Sequence, residues 1–127
     1  MNGIKIVFDT CAVIKLLNRQ YDIASLGIDI DEASLFTSVI VRMELLSKRN
    51  MSSDEEQGIV TFLDDLTVIP LNEVIQQKAI ALRQNTSLKL PDSIVAATAI
   101  VLDAVLISDD NHLLSLSWSG LQTQRIF

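Results

Sequence analysis

Four carboxylates in this 127-residue chain, Asp9, Glu44, Asp92 and Asp110, stand where ordinary polar turns do not account for them. Asp9 follows Ile4-Lys5-Ile6-Val7-Phe8, at the carboxyl end of an apolar strand. Asp110, with Asp109 before it, follows Val105-Leu106-Ile107-Ser108 in the same position on another strand. Neighbouring strands lie about 4.8 Å apart. Acids at adjacent strand ends repel each other, and one is driven neutral unless a cation sits between them. Glu44 shares a helical face with Ile40 and neighbours Met43, which predicts that it points toward packed surface. A carboxylate there costs several kcal/mol unless it is paired or metal-bound. The bland alternative is an ion pair with Lys48, one turn on. Asp92 follows Pro91 in a first helical turn, where the helix dipole alone suits an acid. No histidine or cysteine cluster accompanies the four, so a metal held by them would have only oxygen ligands. That donor set suits Mg²⁺ or Mn²⁺ and disfavours zinc. A cation so held polarises a phosphoryl oxygen and lowers the pKa of a bound water, which is chemistry for phosphate esters.

The elements that must carry these residues follow from apolar periodicity and punctuation. Strands are expected at Ile4–Phe8, Leu35–Thr37, Thr67–Leu71, Ala104–Ser108 and, as an edge, Gln122–Phe127. Helices are expected from Ala12 to Gln20 with Thr10 as N-cap, over Val39–Arg49, and from the acids Asp54-Glu55-Glu56 to Leu66. Two more run from Asn72 to Gln84 and from Pro91 to Asp103, and a short one starts at Asp109/Asp110. Tyr21–Ala33 reads as an irregular connection. Alternating strands and helices give an α/β domain with a mostly parallel sheet of four to five strands flanked by helices, one unit over residues 1–127. Its ligand crevice is expected beyond the carboxyl ends of the strands.

Composition narrows the partners. The chain is 49% apolar, enough for a core, and ten Lys and Arg against 16 Asp and Glu leave a net charge of −6. That balance argues against binding nucleic acid or anionic membrane through bulk positive charge. Two divalent cations held by the quartet would take −6 to −2 and put positive charge in the crevice itself. Cys11 is the lone cysteine, so no internal disulfide forms and a reducing cytoplasm is the expected compartment. Neither a signal-peptide pattern nor an apolar run of bilayer length is present, so no membrane contact is expected.

Four blocks then match a family: Ile6-Val7-Phe8-Asp9-Thr10, Ser38-Val39-Ile40-Val41-Arg42-Met43-Glu44-Leu45, Asp92-Ser93-Ile94-Val95-Ala96-Ala97-Thr98-Ala99 and Leu106-Ile107-Ser108-Asp109-Asp110. In order, spacing and overall length they resemble the motifs of PIN-domain ribonucleases, with VapC-type toxins of prokaryotic toxin–antitoxin pairs as the nearest likeness. The resemblance implies Asp9, Glu44, Asp92 and Asp110 as catalytic, metal-binding acids, supported by Thr10 and Ser108. Asp109 is an acid beside the expected one; motif alignment selects Asp110 as the ligand and leaves Asp109 in support. Cys11 stands where many relatives carry Asn or Ser. The resemblance also implies one or two Mg²⁺ or Mn²⁺ ions, an RNA substrate, a homodimer, and a small antitoxin whose tail blocks the cleft.

The expected activity is hydrolytic endoribonuclease action. Lys15 with Arg19, and Arg42 with Lys48 and Arg49, are the candidates for phosphate contacts. Few aromatic residues argue against extensive base stacking. The sole histidine, His112, reads as a surface or capping residue and Trp118 as packing. Cys11 lacks the arginine six positions on that a Cys-phosphatase loop needs, and no Gly-rich phosphate loop or nucleophile elbow is present. Two alternatives stay open: a catalytically idle PIN-like module that binds RNA or protein, and a metal-dependent nuclease acting on DNA.

Overall fold

In a computed structural model of the chain, residues 3–18 and 32–126 are described. Most of the connection expected over Tyr21–Ala33, and the candidate Arg19, lie outside those residues. Five strands form one sheet: β1 (Lys5–Phe8), β2 (Ser34–Ser38), β3 (Thr67–Ile69), β4 (Val105–Ser108) and β5 (Gln122–Arg125), in the order β3-β2-β1-β4-β5. Every pairing is parallel, so the expected mostly parallel sheet is wholly parallel. The helices are α1 (Thr10–Leu17), α2 (Val39–Leu46), α3 (Ser53–Asp64), α4 (Glu73–Asn85), α5 (Leu90–Leu102) and α6 (Asn111–Leu114).

Burial explains why the central strands read as unbroken apolar runs. Ile6, Val7 and Phe8 are all fully buried, as are Leu106 and Ile107. Successive strand residues point to opposite faces, so both faces of the sheet are covered. α5 packs on β1 and β2 and is itself covered by α4. The run Ser93–Ala99 is buried without interruption, which is why this helix is built from small and apolar residues. Its two buried hydroxyls bond inside the helix, Ser93 to the Leu90 carbonyl (2.7 Å) and Thr98 to that of Ile94 (2.8 Å). Trp118 packs against the core from a half-buried position.

Helix entries differ from expectation in ways that bear on function. Asp9, not Thr10, caps α1, accepting the Ala12 amide at 2.8 Å. The Asp9 carboxylate, just past the strand, reaches forward to the first turn, which leaves the Thr10 hydroxyl to act elsewhere. Pro91 is the second residue of α5 rather than the first, behind Leu90. α2 ends at Leu46 instead of Arg49, and Asn50 beyond it has φ 57°, a left-handed conformation that no helix continues. Arg42 and Arg49 therefore do not share one helical face.

The sheet sets the stability of everything mounted on it. We predict that Leu106→Ala, which empties a fully buried site in β4, lowers unfolding free energy by about 2–5 kcal/mol. Urea denaturation followed by circular dichroism measures it.

Candidate active site

β1 and β4 are adjacent, with Phe8 in register with Ile107, and the Asp9 amide donates to the Ile107 carbonyl at 3.3 Å. This pair lies where chain order reverses: β1 continues through α1 toward β2 on one side, while β4 arrives on the other. In open parallel sheets the crevice forms at that switch point. Asp9 thus stands opposite Ser108, and Asp110, two residues beyond, is near enough for its charge to act on Asp9.

Asp9 is buried (6% exposed) and its carboxylate is held by three donor groups. The Ser108 hydroxyl donates to one carboxylate oxygen and the Ala12 amide to the other. The Cys11 thiol lies 3.1 and 3.3 Å from the two oxygens and donates to the carboxylate. Burial raises the Asp9 pKa above the ordinary carboxylate value; these hydrogen bonds oppose the rise, and the Asp110 charge adds to it. Burial and the charge of Asp9 push the Cys11 thiol up to about 11, so it remains an S–H donor at neutral pH. Its sulfur in turn accepts the Asp109 amide at 3.3 Å. Cys11 is thus a half-buried thiol that supports Asp9.

Asp92, half-buried in the first turn of α5, also has its pKa raised. Burial is the main cause, followed by the charges of Asp110, Asp9 and Glu44, with Lys89 opposing. Asp92 therefore stands within the field of the other three candidate acids. Glu44 is exposed, which corrects the expectation that it faces packed surface. The buried stripe of α2 is Val41 and Leu45, and Met43 is 54% exposed, so Glu44 lies off that stripe. Nor does it pair with Lys48, which bonds Glu55 of α3 at 2.7 Å. Glu44 instead accepts the Thr10 hydroxyl at 2.8 Å, which ties α2 to the start of α1 beside Asp9.

The two adjacent acids after β4 have separate surroundings. Asp109 forms ion pairs with Lys15 and Arg125, and the Lys15 hydrogen bond foremost holds its carboxyl below the usual range. Asp110 caps α6, taking the His112 amide at 2.8 Å, while its own amide donates to Ser108 Oγ at 2.9 Å. His112 is exposed and its Nε2 lies 2.9 Å from Ser87 Oγ. Arg125, which sequence reasoning passed over, is the sole Lys or Arg between residues 90 and 127. Its place next to Ser108 in the β4–β5 register was the available signal.

Among the described residues no three His, Cys, Asp or Glu side chains stand close enough to form a ready-made metal cage. The donor chemistry nonetheless fits a hard cation: the candidate donors are all carboxylates, two have raised proton affinity, and the charges of the other three reach Asp92. Beside it, a groove of about 600 Å³ runs between α1, α2 and α3. Ile14, Leu17, Leu45 and Ile59 give it apolar walls, and Glu44, Asp54 and Glu55 lie along it.

The profile of the PIN domain family matches residues 6–118. No curated protein sequence is significantly similar. Among solved structures, the fold is similar to a chain of VapBC2 from Rickettsia felis, bound to a DNA fragment from its promoter. The TM-score is 0.84 at 18% identity, covering 98% of this chain and 100% of that one. A chain of a toxin-antitoxin complex from Klebsiella pneumoniae is 27% identical (TM-score 0.75; 95% and 99% covered). VapBC-1 from nontypeable Haemophilus influenzae is 22% identical (TM-score 0.75; 96% and 98% covered).

Asp92→Asn tests the repulsion without removing a hydrogen bond of the fold. A carboxyl whose pKa is raised in the folded state disfavours folding above that pKa and ceases to do so below the unfolded value, here near 3.8. We predict that metal-free Asp92→Asn melts higher than the parent at neutral pH, and that the gain vanishes as pH falls below about 4. Calorimetric melting at several pH values checks both the sign and the window.

Proposed function

Because the chain belongs to the PIN-domain family, we propose that it is a Mg²⁺- or Mn²⁺-dependent endoribonuclease, the VapC-type toxin of a toxin–antitoxin pair. The observation that carries this reading is the gathering of Asp9, Glu44, Asp92 and Asp110 at the switch point, with burial and mutual charge raising two of their pKa values. These four residues would hold one or two ions. A bound hard cation supplies Lewis-acid polarisation of a phosphoryl oxygen and acidifies water.

The chain's own residues do the rest. Ser108, Cys11 and the Ala12 amide fix the Asp9 carboxylate, and Thr10 fixes Glu44. The proton released by the attacking water passes to a quartet carboxylate, since the lone histidine is turned toward Ser87. Exposed Arg42 and Arg49 are available to RNA phosphates. Lys48 and Lys15 join them by exchanging an acid partner, Glu55 or Asp109, for phosphate. Arg19 completes the candidate set.

The groove beside Glu44 suits the antitoxin. Apolar walls with an acidic edge match a segment carrying apolar side chains and a basic one. Proteins of similar fold come from toxin–antitoxin complexes, which supports such a partner. Exposed Leu71, Val74 and Ile80 support a homodimer. A cytoplasmic setting agrees with the unpaired thiol of Cys11, and among the described residues no helix is long and apolar enough to cross a membrane.

A second reading, an idle PIN-like module that binds RNA or protein, draws on the incomplete convergence of the acids into a cage. Cleavage and metal binding separate the two. The purified chain is expected to cut RNA in Mn²⁺ or Mg²⁺ and to stop in EDTA. Asp9→Asn, Glu44→Gln and Asp110→Asn should each lower the rate by about 100-fold or more. Cleavage that survives EDTA overturns the metal-dependent reading. Mn²⁺ binding by calorimetry without cleavage of any RNA favours the idle module, and a DNA substrate run in parallel decides between nucleic acids.

A further inference from the structure

The turn that carries Asp110 is gripped from the edge of the sheet. Arg125 is in register with Ser108, and the next amide, of Ile126, donates to the Ser108 carbonyl at 2.9 Å. From there the guanidinium spans the turn. Nη1 donates to Asp109 Oδ1 at 2.9 Å and reaches the Asp109 carbonyl at 3.5 Å, while Nη2 donates to Asn111 Oδ1. The residues before and after Asp110 are thus both held by one side chain. Lys15 of α1 takes the other oxygen of Asp109, and Ser108 Oγ accepts the Asp110 amide. A planar fork with several donors suits such a two-point grip, which a lysine ammonium cannot reproduce in the same geometry. Asp109 is turned to its two cations, and Asp110 is the acid left to act on Asp9 and Asp92.

We propose that Arg125 is a positioning residue which, by holding Asp109 and Asn111, aims Asp110 at the acidic crevice and so sets its affinity for a divalent cation. This rests on the reading of Asp110 as a metal ligand. The grip does nothing to the substrate directly. Its removal lets the turn relax, so the loss should appear in cation binding and be recoverable by excess cation.

The experiment is Mn²⁺ titration by calorimetry on the full chain without RNA, paired with RNA cleavage across a range of Mn²⁺ concentrations. Arg125→Met is expected to weaken Mn²⁺ binding about 10-fold, the scale of lost outer support at metal sites. Its cleavage should return toward the parent rate at saturating Mn²⁺. Arg125→Lys should fall between the two, and Asn111→Ala, which leaves the Asp109 pair intact, should show a smaller loss of the same kind. These two keep the test open should Arg125→Met fold poorly, and circular dichroism of each variant reports folding separately. Asp110→Asn should not be rescued by Mn²⁺. Unchanged Mn²⁺ binding in the folded Arg125 and Asn111 variants overturns the proposal. So does a loss confined to KM for RNA, which would make Arg125 a substrate contact. Unchanged Mn²⁺ binding in Asp110→Asn overturns the underlying ligand assignment and the grip with it, whereas unchanged binding in the Arg125 variants alone overturns only the grip.

Discussion

The hydrogen-bonded parallel pairing of β1 with β4 is the constraint on which the candidate site depends. It brings the carboxyl ends of two strands together, and with them Asp9 and Asp110. Left to themselves, two such acids would move apart or take up protons. They are kept from moving apart because the strands below them are sealed in the core, with Ile6, Val7, Phe8, Leu106 and Ile107 fully buried. Donors are recruited around Asp9, and burial, with repulsion added, raises the proton affinity of Asp9 and Asp92. Stability invested in the sheet thus sustains an unfavourable concentration of charge at one edge, where a cation would relieve it.

Much of this was legible in the sequence. Unbroken apolar runs ending in acid identified β1 and β4, and the alternation of strands with helices identified the parallel sheet. The places where the reading failed share a cause: they turn on which way a side chain points at an element's end. Spacing put Glu44 beside Ile40 and Met43, yet the buried stripe of α2 runs through Val41 and Leu45. Thr10 has the chemistry of an N-cap, but Asp9 precedes it and reaches the same turn. Period and composition say that Asp109 and Asp110 end a strand, without saying that Lys15 and Arg125 claim one of them. Those two cations are 110 residues apart in sequence order and meet only through the sheet. Long-range partners of this kind leave no local pattern to read.

The excess of acid also looks different once located. The net charge of −6 is not spread as a uniform repellent skin. The charges of Asp9, Glu44 and Asp110 act on Asp92, Asp54 and Glu55 line a groove with Glu44, and Arg42 and Arg49 lie exposed on or just past α2. Local sign, rather than the total, decides which partner approaches which face. A groove that joins apolar walls to the carboxylate edge can be closed by one ligand that satisfies both.

The contact between Ser108 and Asp9 joins residues 99 positions apart. Non-local contacts form late, after the loop-closure entropy of the intervening chain has been met. During synthesis, β4 cannot pair with β1 until about a hundred residues after β1 have been made, and β5 follows it. The acids therefore remain scattered on the nascent chain and assemble only once β4 has emerged and paired with β1. A site built this way is absent until β4 has found its place beside β1.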